Sequence, residues 1–267
     1  MLRKALAILI SAAFALSLNA APGTSPTVSK LSAAEIVDKN VAARGGLQAW
    51  RGVQTVLPQR PIEEVQLPFV MDLARPHKLR LELQFKGQTA IQVYDGTKGW
   101  KVRPFLNRME VEPYTEEEAK IASAQQDLDG PLVDYAAKGT KIDLDGMGKV
   151  EDRDTYKLKL TLKTGQQLHV WVDAKTFLEA KMEGQPKRMD GTYHPVELYY
   201  RDYRAVSGLE IPFVLETRVL PVAKTALGVR DTPVPPEKII LEKVTVNPKL
   251  DDAHFSRPQV GVASKTK

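Results

Sequence analysis

Most of the chain alternates between apolar and polar residues, and this period of two limits the folds that it can adopt. Successive side chains of a β-strand point to opposite faces, so each such run predicts a strand with one apolar and one polar face. About ten strands, most of them joined by short turns, indicate a large antiparallel sheet. Because such a sheet must curl to cover its own apolar face, we predict a mainly β fold. The clearest runs are at 67–74, 78–85, 156–163, 168–172, 196–200, 211–215 and 238–246.

Helical signals are confined to the N-terminal region and the middle of the chain. Capping boxes at 32–35 and 115–118 predict two helices, the first of which is predicted to end at Gly45-Gly46. The sequence Asp129-Gly130-Pro131 predicts a further short helix. The two helices in the middle of the chain are predicted either to cover the open concave face as a lid or plug, or to form a surface connection.

The N-terminal residues have the pattern of a secretory signal peptide. Arg3-Lys4 precede an apolar run at 5–18, which is shorter than the roughly 20 residues of a membrane span and is followed by small residues. A chain of this length without cysteine suits a soluble protein of the bacterial periplasm, since it can bury enough surface without disulfides. The predicted division of the chain is a signal peptide at 1–21, a polar leader at 22–31, a single domain at 32–258 and a flexible tail at 259–267.

The sequence contains no catalytic or metal-binding pattern. There is no cysteine to supply a thiolate, and the four histidines lack the spacing of metal ligands. The net charge of +5 is too small to predict nucleic-acid binding. We therefore predict a protein that is not an enzyme and that binds no cofactor, metal or nucleic acid. The alternative of a hydrolase that uses carboxylates such as Glu63-Glu64 or Asp251-Asp252 stays open.

The predicted sheet has an apolar face that something must cover. Removing apolar area from water contributes roughly 25 cal/mol per Å². If the helices cover only part of the concave face, a hydrophobic guest completes the interior, and each buried methylene contributes about 0.8 kcal/mol. One acyl chain therefore contributes on the order of 10 kcal/mol before ordering costs, which is enough to carry a lipid through water.

Three motifs give the chain a resemblance to a known family. They are Ala74-Arg75-Pro76, the segment from Tyr94 to Trp100, and the segment from Val246 to Phe255. In their order and spacing, together with the signal peptide and the central helices, they resemble the LolA/LolB-like family of periplasmic lipoprotein-sorting proteins. The resemblance implies a mainly β (α+β) fold, an unclosed antiparallel β-barrel of about eleven strands. It also implies an N-terminal helix and short lid helices over the concave face, and a cavity that accepts acyl chains.

Arg75 is the residue to which the resemblance gives a role. In lipoprotein carriers of this kind, the arginine of the Arg-Pro pair hydrogen-bonds to lid carbonyls and holds the closed state. Continuing the alternation from Leu67 to Leu73 also places Arg75 on the apolar face, where a cation needs carbonyl partners. The alternative is an arginine at a strand end that points to water.

These observations predict a monomeric periplasmic carrier that shields the acyl chains of a lipoprotein or another lipid and delivers them towards the outer membrane. By the resemblance, its partners are an inner-membrane donor protein and an outer-membrane acceptor protein. The alternative is an envelope-stress regulator or assembly factor that binds a protein partner through the curved sheet. The cavity wall is predicted from strand alternation, which a one-residue bulge would reverse. The predicted wall residues are Phe69, Met71, Leu73, Leu81, Leu83, Phe85, Ile91, Val93, Leu160, Leu162, Val170 and Phe213.

Overall fold

The computed structural model of the protein describes residues 31–60, 68–123, 128–189, 191–223, 228 and 233–259. The predicted signal peptide, nearly all of the leader and nearly all of the tail lie outside these residues. The helices are α1 (Ala33–Ala43), α2 (Leu47–Arg51) and α3 (Glu116–Ser123). The strands are β1 (Thr55–Arg60), β2 (Phe69–Ala74), β3 (Lys78–Phe85), β4 (Gln88–Tyr94), β5 (Gly99–Arg103), β6 (Arg108–Pro113), β7 (Lys141–Val150), β8 (Arg153–Thr161), β9 (Gln167–Asp173), β10 (Glu179–Glu183), β11 (Lys187–Met189), β12 (Thr192–His194), β13 (Val196–Val206), β14 (Leu209–Val219), β15 (Glu237–Ile240) and β16 (Lys243–Val246). Within the described ranges, no helix is both long and apolar enough to cross a membrane.

Two seven-stranded antiparallel sheets form the body of the protein. The strand order is β16-β1-β2-β3-β4-β5-β6 in the first sheet and β15-β14-β13-β10-β9-β8-β7 in the second, while β11 and β12 form a separate hairpin. In the described part of the chain, β6 and β7 are edge strands, so the wall that the two sheets form is not closed. The predicted mainly β fold with an unclosed antiparallel barrel is therefore confirmed. The predicted number of strands, about eleven, is wrong, because the described residues form sixteen.

The two sheets meet at a seam formed by the last two strands. β15 pairs with β14 of the second sheet, whereas β16 pairs with β1 of the first. Between these strands, the Leu241 amide donates to the Phe213 carbonyl (N···O 2.8 Å) and the Glu242 amide donates to the Gln59 carbonyl (N···O 2.9 Å). The prediction of a single strand at 238–246 is therefore wrong, because the chain crosses from one sheet to the other within this run. The crossing joins the sheets into one curved wall around a concave face.

Both capping boxes predicted from the sequence are present. The Ser32 hydroxyl accepts from the Glu35 amide at 3.3 Å, and the Glu35 carboxylate accepts from the Ser32 amide at 2.8 Å, where α1 begins. Thr115 and Glu118 make the same reciprocal pair at the start of α3, with distances of 3.2 and 2.8 Å. Each box satisfies backbone donors that a first helical turn leaves without partners.

The three helices of the described residues cover parts of the concave face. Ile36 and Val37 of α1 pack on the second sheet, in a cluster with Leu158, Leu160, Val170 and Met182. Trp50 of α2 packs against residues of both sheets. Ala122 of α3 lies against Leu79 and Tyr94 of the first sheet. The middle of the concave face lies between these three contacts.

Residues 128–139, which we name the cap segment, lie between the two main core clusters. Leu132 packs under α1 and Val133 packs with Trp50, and both side chains are fully buried. The predicted helix from Asp129 is wrong, because the segment is a series of turns. Gly130 and Asp134 have left-handed backbone conformations, with φ of +74° and +53°, and these conformations interrupt a right-handed helix. The segment therefore acts as a plug of the concave face through two buried side chains.

Candidate functional site

A cavity of about 280 Å³ lies at the middle of the concave face, between the two sheets and under the cap segment. Its wall is mostly apolar, and the residues come from both sheets, from α2 and from the cap segment. The apolar wall residues are Trp50, Val56, Pro58, Phe69, Met71, Leu73, Leu128, Pro131, Val170, Met182, Ile211, Pro212, Leu215, Ile239, Leu241 and Val244. A space with this lining suits a hydrocarbon chain, because such a chain has no hydrogen bonds to lose when it leaves water.

A polar cluster interrupts the apolar wall at one place. The Arg44 guanidinium donates from Nη1 to Glu179 Oε1 at 3.1 Å and to the Asp129 carbonyl at 2.7 Å. Tyr203 donates its hydroxyl to Glu179, at 3.1 Å to the carbonyl and 3.3 Å to Oε2. Arg44 and Glu179 are both buried, with 7% of each residue exposed, and both line the cavity. The wall therefore contains a buried ion pair whose two charges cancel.

Arg44 is placed by the end of α1. It is the C-cap residue of this helix, and its carbonyl accepts from Trp50 Nε1 at 3.0 Å and from the Glu210 amide at 3.2 Å. Its guanidinium lies 4.3 Å from the centre of the Trp50 ring, a cation–π distance. Gly45 follows with φ of +110°, and a Cβ there would lie 2.3 Å from the Gly208 carbonyl oxygen. Glycine at this position thus lets the end of α1 approach the β13–β14 turn, which fixes Arg44 beside the second sheet.

Tyr200 lines the cavity next to this ion pair. Its hydroxyl donates to Met182 Sδ at 3.9 Å, and a thioether is a weak acceptor. Burial raises the pKa of Tyr200 above its ordinary value, the nearby charge of Glu179 raises it further, and the charge of Arg44 opposes these effects. The side chain is therefore a neutral hydroxyl at physiological pH, and its proton is held by a weak acceptor.

Arg75, the predicted lid latch, follows β2 and reaches α2 and the cap segment. Its Nε donates to the Val53 carbonyl at 2.8 Å, and its Nη2 donates to Asp129 Oδ2 at 2.8 Å and to the Trp50 carbonyl at 3.5 Å. Asp129 is buried and also accepts from Lys138 Nζ at 2.6 Å. Arg75 thus connects the end of β2 to α2 and to the cap segment, which is the geometry that a latch requires. Whether it acts as a latch stays a prediction.

The structure brings four of the predicted wall residues to the cavity: Phe69, Met71 and Leu73 of β2 and Val170 of β9. Leu81, Leu83 and Phe213 are also on the concave face, where they pack in the core cluster that contains Trp50. Leu160 and Leu162 pack in the core cluster with Ile36 and Val37 of α1, and they are not among the described residues that line the cavity. Phe85 is 41% exposed and packs edge-to-face on Phe105 at the end of β3.

Ile91 and Val93 are on the opposite face of the sheet, so their placement in the cavity wall is wrong. The register of β3 and β4 pairs Ile91 with Glu82 and Val93 with Arg80. Leu81 and Leu83, which face inwards, are paired with Gln92 and Ala90. Residues that are directly opposite in an antiparallel pair share a face, so the inward residues of β4 are the even-numbered ones.

Sequence reasoning missed the polar cluster. Glu179 and Met182 both line the cavity although they are three residues apart, because a β-bulge lies between Glu179 and Lys181. Tyr200 and Tyr203 have the same spacing, and Asp202 between them has a φ of +52°. Strict alternation would place one residue of each of these two pairs on the outer face of the sheet. We know of no sequence signal here that reveals either irregularity.

Within the residues that the structure describes, no group of three or more histidine, aspartate or glutamate side chains is arranged to hold a metal ion. The histidines are used in other contacts. His169 Nδ1 lies 3.0 Å from Glu183 Oε1 on the outer face, and His254 contacts Asp72. Among the described residues, the polar side chains that line the cavity are those of Arg44, Glu179, Tyr200 and Tyr203.

Comparison with known proteins gives similarities of fold. No protein-family model matches the sequence, and no curated protein has a significant sequence match. The LolA superfamily protein NE2245 from Nitrosomonas europaea is 14% identical, with a TM-score of 0.48 over 85% of this chain and 98% of that protein. A DUF1329 family protein from Desulfovibrio piger is also 14% identical, with a TM-score of 0.48 over 84% of this chain and 97% of that protein.

Proposed function

We propose that the protein is a periplasmic carrier that binds an acyl chain of a lipoprotein or another lipid in the cavity and delivers it towards the outer membrane. Residues 32–258 form its lipid-binding domain, and it works by binding, without catalysing a reaction. The observation that carries this proposal is the apolar space of about 280 Å³ that the side chains of both sheets and the cap segment leave between them.

The size of the cavity favours one chain over several. Pockets for small molecules have volumes of about 300–1,000 Å³, and the volume here is near the lower limit. Burial of one chain supplies about 0.8 kcal/mol per methylene, so a chain that only partly enters still gains several kcal/mol. A carrier needs this intermediate strength, because the chain has to be released at its destination.

We propose that entry of a chain involves movement of the cap segment. Leu132 and Val133 are fully buried, and exposing a side chain of this kind costs about 1.5–3 kcal/mol. Arg75 adds hydrogen bonds from the end of β2 to Asp129. The closed state is therefore strongly favoured, and either the lipid or a partner protein must offset the cost of opening.

Native mass spectrometry tests the proposal directly. The protein is exported to a bacterial periplasm, purified without detergent and sprayed from volatile buffer. We expect added mass that tandem fragmentation identifies as lipid, and exchange of that lipid when phospholipid vesicles are added. A protein that carries no lipid after purification and takes none from vesicles would contradict the proposal.

Replacing the predicted latch should loosen the cap segment. We expect Arg75→Leu to lower the free energy of unfolding by about 1–3 kcal/mol, because its hydrogen bonds to Asp129 and to the Val53 carbonyl are lost. Hydrogen exchange of the amides at 128–139 should become faster, and lipid transfer between vesicles should change in rate.

Arg108→Leu is the control for this variant. Arg108 is an exposed arginine of β6 that pairs with Glu112 at 3.3 Å, so its loss should change stability by less than about 0.5 kcal/mol. Exchange rates in the cap segment that are the same in Arg75→Leu and in the wild type would show that Arg75 does not hold the segment closed.

A further inference from the structure

The polar cluster in the cavity wall needs an explanation other than stability. Arg44 and Glu179 form an ion pair that is buried beside an apolar space. Removing two charges from water costs several kcal/mol for each ion, and well-packed apolar residues are often as stable as such a pair. A cavity that had to accept only hydrocarbon would be built more simply without these charges.

The groups of this cluster differ in how well they are satisfied. Tyr203 donates to Glu179 in two contacts, and Arg44 Nη1 donates to Glu179 and to the Asp129 carbonyl. Arg44 Nε is buried without a hydrogen-bond partner among the described residues. The Tyr200 hydroxyl lies in the same part of the wall and is held by a sulfur atom at 3.9 Å. An oxygen acceptor in the cavity would therefore improve the hydrogen bonding of Tyr200 without breaking the ion pair.

The charge of the cluster decides which acceptor fits. The positive charge of Arg44 is matched by Glu179 at 3.1 Å, so this ion pair offers no net charge to a ligand beside Tyr200. A carboxylate placed there would be a third, uncompensated charge in a medium of low dielectric constant. A neutral carbonyl carries no such cost.

We infer that the cavity selects a single acyl chain attached through a neutral ester or amide, with the carbonyl oxygen accepting the Tyr200 hydroxyl beside the Arg44–Glu179 pair. This inference rests on the proposed function and specifies its ligand. It makes Tyr200 a specificity residue, and it predicts that free fatty acids are poor ligands compared with acylated molecules of the same chain length.

The test compares three probes by isothermal titration calorimetry. Monolaurin has a neutral ester, dodecyl glycerol ether lacks only its carbonyl oxygen, and laurate has a charged carboxylate. We expect the wild type to bind monolaurin about five- to tenfold more tightly than the ether, the effect of one hydrogen bond. Laurate should bind more weakly than monolaurin. Equal binding of ester and ether, or a preference for laurate, would overturn the inference.

Tyr200→Phe should bind the ester and the ether equally, while keeping its affinity for the ether. Tyr199→Phe is the matched control, since Tyr199 is the neighbouring residue of β13 and packs on the outer face with Trp171. It should keep the preference for the ester. A preference that survives in Tyr200→Phe would overturn the role of Tyr200. If the wild type bound none of the three probes, the carrier proposal itself would fail, and the inference with it.

Discussion

Arg44→Met should lower the free energy of unfolding by about 3–5 kcal/mol, the usual cost of leaving one member of a buried ion pair alone. Glu179 would keep its contacts from Tyr203 but lose its compensating charge, and only 9% of its side chain is exposed to water. Methionine retains the length of the arginine stem, so packing against Trp50 changes little. Urea denaturation followed by far-ultraviolet circular dichroism measures the effect.

The double variant Arg44→Met/Glu179→Gln is the control for this prediction. It removes both charges, and it should recover most of the lost stability, because the cost comes from the unpaired carboxylate. A loss of less than about 1 kcal/mol in the single variant would show that water reaches Glu179. In that case the ion pair would not be a buried part of the cavity wall.

Met71→Trp should lower the amount of bound lipid at least about tenfold, since the larger side chain occupies space needed by the chain. Met71 lies on β2, lines the cavity and packs between two core clusters. The loss should be measured by native mass spectrometry, with laurate esters added in excess. Overpacking of this kind costs about 1–3 kcal/mol of stability, so the variant is expected to stay folded.

Val70→Trp is the control for this variant, because it adds an equally large side chain outside the cavity. Val70 is the neighbouring residue on β2, and it is paired with Glu82 on the outer face. This variant should bind as much lipid as the wild type. If Met71→Trp bound lipid as well as Val70→Trp, the lipid would have to lie somewhere other than the cavity.

The sequence was most informative where a strand has one buried face. β2 and β3 were predicted from alternation alone, and the structure pairs Phe69 with Leu83 and Met71 with Leu81 on the concave face. A shift of one residue would move all of these side chains to the outer face, so burial fixes the register strongly. The capping box of α1 was equally predictable, since its contacts are local.

Alternation failed in β4 because this strand has buried apolar residues on both of its faces. Ala90 and Tyr94 are buried on the concave face, while Val93 is buried on the outer face, beside Arg80. Arg80 Nη1 donates at 3.1 Å to the carbonyl of His254, so the C-terminal turn lies close to this outer surface. A strand that is covered on both sides gives no sign in its own sequence of which side faces the cavity.

The polar cluster could not be predicted from the sequence, for a different reason. Arg44, Glu179 and Tyr200 are far apart in the chain. The direction in which the side chains of Arg44 and Glu179 point depends on contacts with other parts of the chain. Glu179 faces the cavity through a β-bulge, and Arg44 through the docking of the α1 terminus on the β13–β14 turn. The cap segment was likewise predicted in position but not in conformation, since Leu132 and Val133 are buried by tertiary packing.

Quenching of Trp50 fluorescence by a brominated acyl chain tests most directly whether the cavity holds lipid. Trp50 lines the cavity, whereas Trp171 packs on the outer face and Trp100 is paired with Val93 away from it. In a Trp100→Phe/Trp171→Phe variant, Trp50 is the one remaining tryptophan, since the chain has three. A monoacylglycerol with bromine in the middle of its chain should quench this emission on binding, and the unbrominated lipid should not. Binding seen by calorimetry without quenching, or no binding of either lipid, would contradict the assignment of the cavity as the lipid site.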